Sequence, residues 1–309
     1  MARLQAGENR GFSLVELVIG MAVLTFTMTT VFYILGKYQR VYQTEQVGAD
    51  MLQGARGTLE LLSQEIGQAG YLSLPAGRKL TPAVTANAAA QTAAASSTAD
   101  LFVGEKLLVD GGANEELVTL TGVSDTGVQG IFTKNHVAQT PINALGVFPD
   151  GVLPGSSTPT RLQLYGDING DGSLVYVEYN CDTTTGTPTS GTVTRSVTPI
   201  TTNGVTATVQ NTPRVVLTGL QPNPGGTPCF QYTTKPLAGV AGVPTVVNRV
   251  LITLTSRSAS PDPETGTYRS ATSSLVVTPG NTLLVFDVVQ YMPNRLQSKP
   301  FAYPPSPPS

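Results

Sequence analysis

Hydrophobic positions along the chain fall into three successive regimes. Residues 17–36 are a run of 20 residues without a charged side chain, which at about 1.5 Å rise per residue covers roughly the 30 Å hydrocarbon thickness of a bilayer. Beyond Gly36 the pattern thins to a single stripe. Leu52, Ala55, Leu59, Leu62 and Ile66 recur at steps of three and four on an otherwise polar segment, the mark of a helix with one face to bury. No proline occurs before Pro75, so nothing forces a break between the two regimes. The pattern predicts one helix starting near Phe12 and capped at Gly70, with Tyr71 just outside the cap; it would reach about 85 Å. Gly48, Gly54 and Gly57 each cost up to about 1 kcal/mol inside such a helix, so packing of the stripe has to compensate.

From residue 101 onward β-branched residues alternate in short runs between Gly, Pro, Asn and Asp. These runs predict strands over 101–109, 116–123, 130–132, 161–165, 174–179, 192–197, 205–209, 214–218, 229–233, 248–255, 268–277 and 283–289. Their spacing points to a mainly antiparallel sheet. The fold class is therefore α+β, a long N-terminal transmembrane and amphipathic helix packed on an antiparallel β-sheet head, with chain enough for a second β subdomain. Residues 72–100, mostly Ala, Thr and Ser, read as a low-complexity loop, with a short surface helix as the alternative. The division is a leader 1–11, a membrane helix 12–36, its amphipathic continuation 37–71, the loop 72–100, a β-rich head 101–292 and an extended Pro-rich tail 293–309.

Composition sharpens this picture in two respects. With 32 Gly and 23 Pro in 309 residues and only 12% charged residues, the head is turn-rich β structure rather than a helical bundle. A formal net charge of −2 supplies no general attraction for nucleic acid, and no nucleic-acid partner is expected.

Candidate chemistry is sparse. Asp167, Asn169 and Asp171, followed by Gly172 and then Glu178, match the spacing of a calcium loop. The flanks alternate as strands do, and a fully extended chain from Asp171 would carry Glu178 about 20 Å away. The calcium reading therefore uses Asp167, Asn169, Asp171 and the carbonyl of Ser173 in a hairpin loop. A plain Asn-Gly/Asp-Gly turn with no metal accounts for the same residues. Calcium is the one cofactor in view. Cys181 and Cys229 suit either one disulfide, closing about 48 residues and contributing roughly 4 kcal/mol in the chain-entropy model, or two buried thiols. His136 is the sole histidine, which removes most routes to a Ser-His-Asp site or a zinc centre. No catalytic residue is expected.

The head of the apolar run carries more information. An ordinary secretory signal places its small cleavage-site residues after the apolar core, whereas here Arg10-Gly11-Phe12-Ser13-Leu14-Val15-Glu16 precedes it. This order resembles the prepilin signal of the type IV filament superfamily. The resemblance implies that a prepilin peptidase cuts between Gly11 and Phe12 and that Phe12 becomes the N-methylated first residue. Glu16 would then be the acidic fifth residue. A carboxylate there is costly in lipid and has no basic partner within the run; the resemblance supplies one, the α-ammonium of a neighbouring subunit. Arg3 and Arg10 against Glu8 make a short basic leader for the cytoplasmic side.

Residues 60–71 add a second resemblance, to the "LxxDIRxAGY" helix ending of the PilW group of minor pilins, with Glu65 where an Asp is usual and Gly67 where an Arg is usual. The two together imply a minor pilin of a type IV pilus. Its partners would be other pilin and minor pilin subunits, the prepilin peptidase, an inner-membrane assembly platform and, before assembly, inner-membrane lipid. It would cross the inner membrane once with its head outside the cytoplasm and end in an extracellular pilus. A J-type pseudopilin of type II secretion, and an adhesin or DNA-uptake tip pilin, are the alternatives.

Overall fold

The computed structural model describes residues 11–70, 77–99, 101–144, 151–170, 174–184, 191–199, 201–202, 205–206, 212–238, 245–291 and 296–297. The chain forms two compact units, residues 1–51 with 258–269 and residues 52–257 with 270–309. A single helix, α1 (Leu14–Gln68), runs for 55 residues without interruption. Its first hydrogen bond is accepted by the Ser13 carbonyl from the Leu17 amide at 3.1 Å. At the other end Gly70 takes a left-handed φ of 81°, the geometry that ends a helix at least cost when the residue lacks a Cβ. The predicted cap is therefore in place; Tyr71 lies outside the described residues.

In the first unit the apolar run of α1 is exposed along its whole length. Segment 258–269 is fastened to the helix further along by one buried carboxylate. Asp262 accepts Thr44 Oγ1 at 2.9 Å, Arg269 Nε at 2.7 Å and the Glu264 amide at 2.8 Å. The Glu264 amide first, then Thr44 and Arg269, hold the Asp262 carboxyl down to about 2 against the opposing effect of burial.

The second unit contains the β structure. Its strands are β1 (Gln91–Ala94), β2 (Lys106–Val109), β3 (Glu116–Thr119), β4 (Gly122–Ser124), β5 (Gly127–Gly130) and β6 (Ile142–Ala144). There follow β7 (Arg161–Gly166), β8 (Val175–Asp182), β9 (Thr192–Pro199), the short pair β10 (Thr201–Thr202) and β11 (Val205–Thr206), and β12 (Arg214–Thr218). The series ends with β13 (Leu220–Gln221), β14 (Phe230–Pro236), β15 (Thr245–Arg257), β16 (Ser270–Val277) and a second helix, α2 (Gly280–Tyr291). Every ladder is antiparallel, which bears out the α+β class.

Two sheets receive the striped half of α1. One has the order β12-β9-β8-β7, and the other is built around β15, with β13 and β14 on one side and β16 on the other. Leu59, Leu62 and Ile66 from the helix, with Ala69 just after it, share one core with Leu164, Val177 and Tyr179 of the first sheet and Phe230, Ile252 and Leu254 of the second. Full burial of a side chain such as Leu62 contributes about 1.5–3 kcal/mol, which offsets the glycines in the same helix. The end of α1 lies so close to β7 that a Cβ on Gly166 would stand 2.7 Å from the Gln68 carbonyl oxygen, and one on Gly151 2.4 Å from the Gly70 nitrogen. Glycine is required at both places by close approach of backbones.

A second core collects Leu80, Val84, Leu101, Leu107, Val118, Phe132 and their neighbours between the sheets β1-β5-β4 and β3-β2-β6. This corrects the reading of residues 72–100 as a loop. Gln91–Ala94 is a strand paired with β5, and Leu80, Val84 and Ala93 are buried. Its small side chains suit a tight fit, since a Cβ on Gly127 would meet the Ala93 carbonyl oxygen at 2.7 Å. Gly104, at φ 94°, breaks the predicted strand 101–109 and leaves only β2. The expected strand over 283–289 is part of α2. There Val285 is buried with Phe286, Val288 and Val289 packed about it, a three-to-four spacing that a short apolar run hides. Asn281 ties this helix to α1 by donating to the carbonyls of Gln68 at 3.3 Å and Ala69 at 3.0 Å. Within the stretch read as a tail, Leu296 and Gln297 are buried, Gln297 exchanging hydrogen bonds with the Lys106 backbone at 2.9 and 2.8 Å.

Candidate functional site

Gly11, Phe12 and Ser13 are exposed, non-helical backbone directly ahead of α1. A peptidase must draw its substrate out as an extended strand, and the Gly11–Phe12 bond lies in this non-helical stretch, ahead of the first helical residue Leu14. Phe12 is 79% exposed, and a Cβ on Gly11 would meet nothing within 4 Å. Glu16 lies in the first helical turn, where a carboxylate is favoured by the unpaired amides of the helix start. It is exposed, as is every residue from 11 to 43.

The threonine hydroxyls inside the apolar run are satisfied locally. Thr25, Thr27, Thr29 and Thr30 each donate a hydroxyl to the carbonyl four residues earlier at 2.8–2.9 Å. Such self-contained bonding is what a hydrocarbon environment demands. The helix thus presents an apolar surface with one acidic group near its start.

A different acid, Glu65, is buried where α1 meets the first sheet. Tyr179 and Arg195 are register partners on β8 and β9, so both side chains rise from one place toward the helix. Tyr179 Oη donates to Glu65 Oε2 at 2.6 Å. Arg195 Nε donates to Oε1 at 2.9 Å and Oε2 at 3.2 Å, and its Nη2 also reaches Oε1. Burial and the Glu65 charge push the Tyr179 hydroxyl far above its ordinary range. The sequence marked position 65 only through the helix ending it belongs to; its partners lie 114 and 130 residues away, beyond any periodicity.

The proposed calcium residues fall in sequence between β7 and β8, which pair antiparallel as expected. Asp167 is buried and Asn169 lies near it in sequence; Asp171 and Ser173 lie outside the described residues. Glu178 is committed elsewhere, accepting Gln163 Nε2 and Tyr176 Oη at 2.8 Å each, so its place in the loop pattern is fortuitous. Among the described residues no group of three acidic, His or Cys side chains is arranged for a metal.

Cys181 on β8 and Cys229, just ahead of β14, come together in the core as two buried thiols. The hydrogen bond between them, with burial, pushes Cys181 up, and the same bond lowers Cys229.

His136, only 2% exposed, is held between Asp110 Oδ2 at 3.2 Å from Nδ1 and Glu116 Oε1 at 2.6 Å from Nε2. Asp110 reaches it from a left-handed φ of 67°, which aspartate tolerates better than most residues. The bond to His136 lowers the Asp110 carboxyl. Burial raises that of Glu116, but bonds from Thr133 and His136 bring it below its ordinary value. An imidazole so enclosed has no access to a substrate; it fastens the ends of β2 and β3 to the loop after β5.

Residues 8–32 match the family model described as the prokaryotic N-terminal methylation motif. No curated protein and no solved structure matches the chain. The matched residues take in Gly11, Phe12, Glu16 and the start of α1, so over this segment the chain is type IV pilin-like, with a helix long and apolar enough to cross a membrane.

Proposed function

We propose that this chain is a minor pilin, a structural subunit that takes part in assembling, priming or tipping a type IV pilus. The observation that carries the reading is the exposed Gly11–Phe12 bond set immediately before a 55-residue helix whose apolar portion is wholly unburied. In this account a prepilin peptidase cuts after Gly11, Phe12 is N-methylated, and the helix rests in the inner membrane until it is drawn beside like helices in a filament. Glu16 then sets register by pairing with the α-ammonium of a neighbour, which replaces a costly lone carboxylate by an ion pair. The β structure faces away from the cytoplasm and meets partner subunits. No step asks for catalysis by this chain itself.

Peptide mass spectrometry of sheared pili tests this. It should recover a peptide that begins at methylated Phe12. Gly11→Ala should leave the leader attached, and Glu16→Ala should be cut normally yet be depleted from filaments. Unimpaired processing of the first variant and unimpaired incorporation of the second would refute the proposal. Recovery with a secretion pseudopilus instead of a pilus would move the subunit to the J-type alternative.

A further inference from the structure

We infer that the first unit carries a phospholipid headgroup site, selective for a lipid with a phosphodiester and a primary ammonium, at the outer end of the apolar run. The inference rests on the membrane-inserted reading above. A cleft of about 390 Å³ lies between α1 and segment 258–269, lined by Phe32, Tyr33, Gly36, Lys37, Arg40 and, from the facing segment, Glu264. Tyr33, Gly36, Lys37 and Arg40 fall at successive steps of three, one and three, which puts them on one face of the helix. The uncharged run stops at Gly36, so this face passes from acyl-chain depth to headgroup depth within the cleft.

Its charges are arranged for a zwitterion rather than for an anion. Lys37 and Arg40 stand together on the helix, and Glu264 forms the other wall. Among the described residues none of the three side chains takes part in an ion pair. Phe32 and Tyr33 offer aromatic surface to the first methylenes of the chains, as amphipathic rings do at membrane interfaces. Gly36 leaves open space where a side chain would stand. The acidic wall is fixed in advance, because the Glu264 amide donates to Asp262, the same buried carboxylate that Thr44 of the helix and Arg269 hold. A phosphate on Lys37 and Arg40 with an ammonium on Glu264 satisfies all three charges. A glycerol headgroup leaves Glu264 facing a net anion.

The test uses the full chain in nanodiscs of equal parts phosphatidylethanolamine, phosphatidylglycerol and phosphatidylcholine, extracted gently and analysed for retained lipid by mass spectrometry. Phosphatidylethanolamine should exceed phosphatidylglycerol by about two- to fivefold, the scale of one exposed ion pair. Glu264→Gln should erase that preference, and the pair Lys37→Gln with Arg40→Gln should release both lipids. All three positions are exposed, so the fold is not at stake. Retained lipid that mirrors the bilayer, or that favours phosphatidylglycerol, would overturn the site. Prepilin peptidase is added to the same preparations and cleavage at Gly11 is followed. Normal cleavage without lipid preference sinks the headgroup site alone, whereas an uncleaved parent chain sinks the pilin reading.

Discussion

Replacing Glu65 by alanine removes the one charge that joins α1 to the cross-strand pair of β8 and β9. Glu65 is 5% exposed and accepts from Tyr179 and Arg195. Without it the Arg195 guanidinium, 21% exposed, and the Tyr179 hydroxyl lose their acceptor. Breaking a fully buried pair costs about 3–5 kcal/mol. Water reaches part of Arg195 and screens it, so the lower end, about 3 kcal/mol, is expected. For a unit of this size each kcal/mol lowers the melting temperature by about 2–4 °C, giving a drop of about 6–12 °C. Near-ultraviolet circular dichroism of the detergent-solubilised chain reads this directly, since the chain has 11 tyrosines and no tryptophan. Glu65→Asp keeps the charge but is one methylene shorter, and it should fall between the parent and Glu65→Ala. Glu65→Ala combined with Arg195→Met should cost less than the sum of the two single changes, by about 1 kcal/mol or more, because they share one interaction. A drop of under about 2 °C for Glu65→Ala, with strict additivity in the double variant, would refute the claim that this triad holds helix to sheet.

Three further outcomes follow from other contacts. Asp262 has its folded-state value depressed to about 2, below the roughly 3.9 of an unfolded aspartate. Its contribution is therefore complete above about pH 4 and is lost as pH falls toward 2. Pepsin cleavage within 258–269 should rise over that interval in the parent and be high throughout in Asp262→Asn; equal cleavage of the two at pH 4 would contradict it. Gly151→Ala places a Cβ 2.4 Å from the Gly70 nitrogen, and forcing those backbones apart should cost about 1–3 kcal/mol by urea unfolding. In material isolated from an oxidising compartment, Cys181 and Cys229 should be found bridged, since the folded chain already sets them side by side. Thiol labelling after denaturation without reduction should add nothing, and two added labels would show the pair stays reduced.

How far the sequence could be read depended on the range of the interactions involved. The order Gly11, Phe12, Glu16 within the matched methylation motif was legible because its setting is local, a short polar step into an apolar run. The helix was legible from end to end, since the stripe from Leu52 to Ile66 and the cap at Gly70 follow the period and backbone freedom of a helix itself. Arg214–Thr218 was read to the residue because its alternation is bounded by Pro213 and Gly219. Short apolar runs were another matter. The stretch that became α2 has no period long enough to separate helix from strand, and the choice fell to its packing with Leu237, Val246 and Leu296. Gln91–Ala94 carried no readable strand signal, because a single Thr between Gln and two Ala makes no apolar alternation until β5 supplies a ladder.

By itself the sequence determined an apolar helix with an acid near its start, a glycine ahead of it, and a turn-rich β region behind. Each of these follows from neighbours along the chain, whose spacing is set by covalent geometry. Only the tertiary structure decided that Glu65 meets Tyr179 and Arg195, that His136 bridges Asp110 and Glu116, that Cys181 lies beside Cys229, and that Glu264 faces Lys37 and Arg40. Those pairings join residues tens to hundreds of positions apart. They depend on sheet register and loop placement, which the burial of a shared core selects and no local pattern encodes.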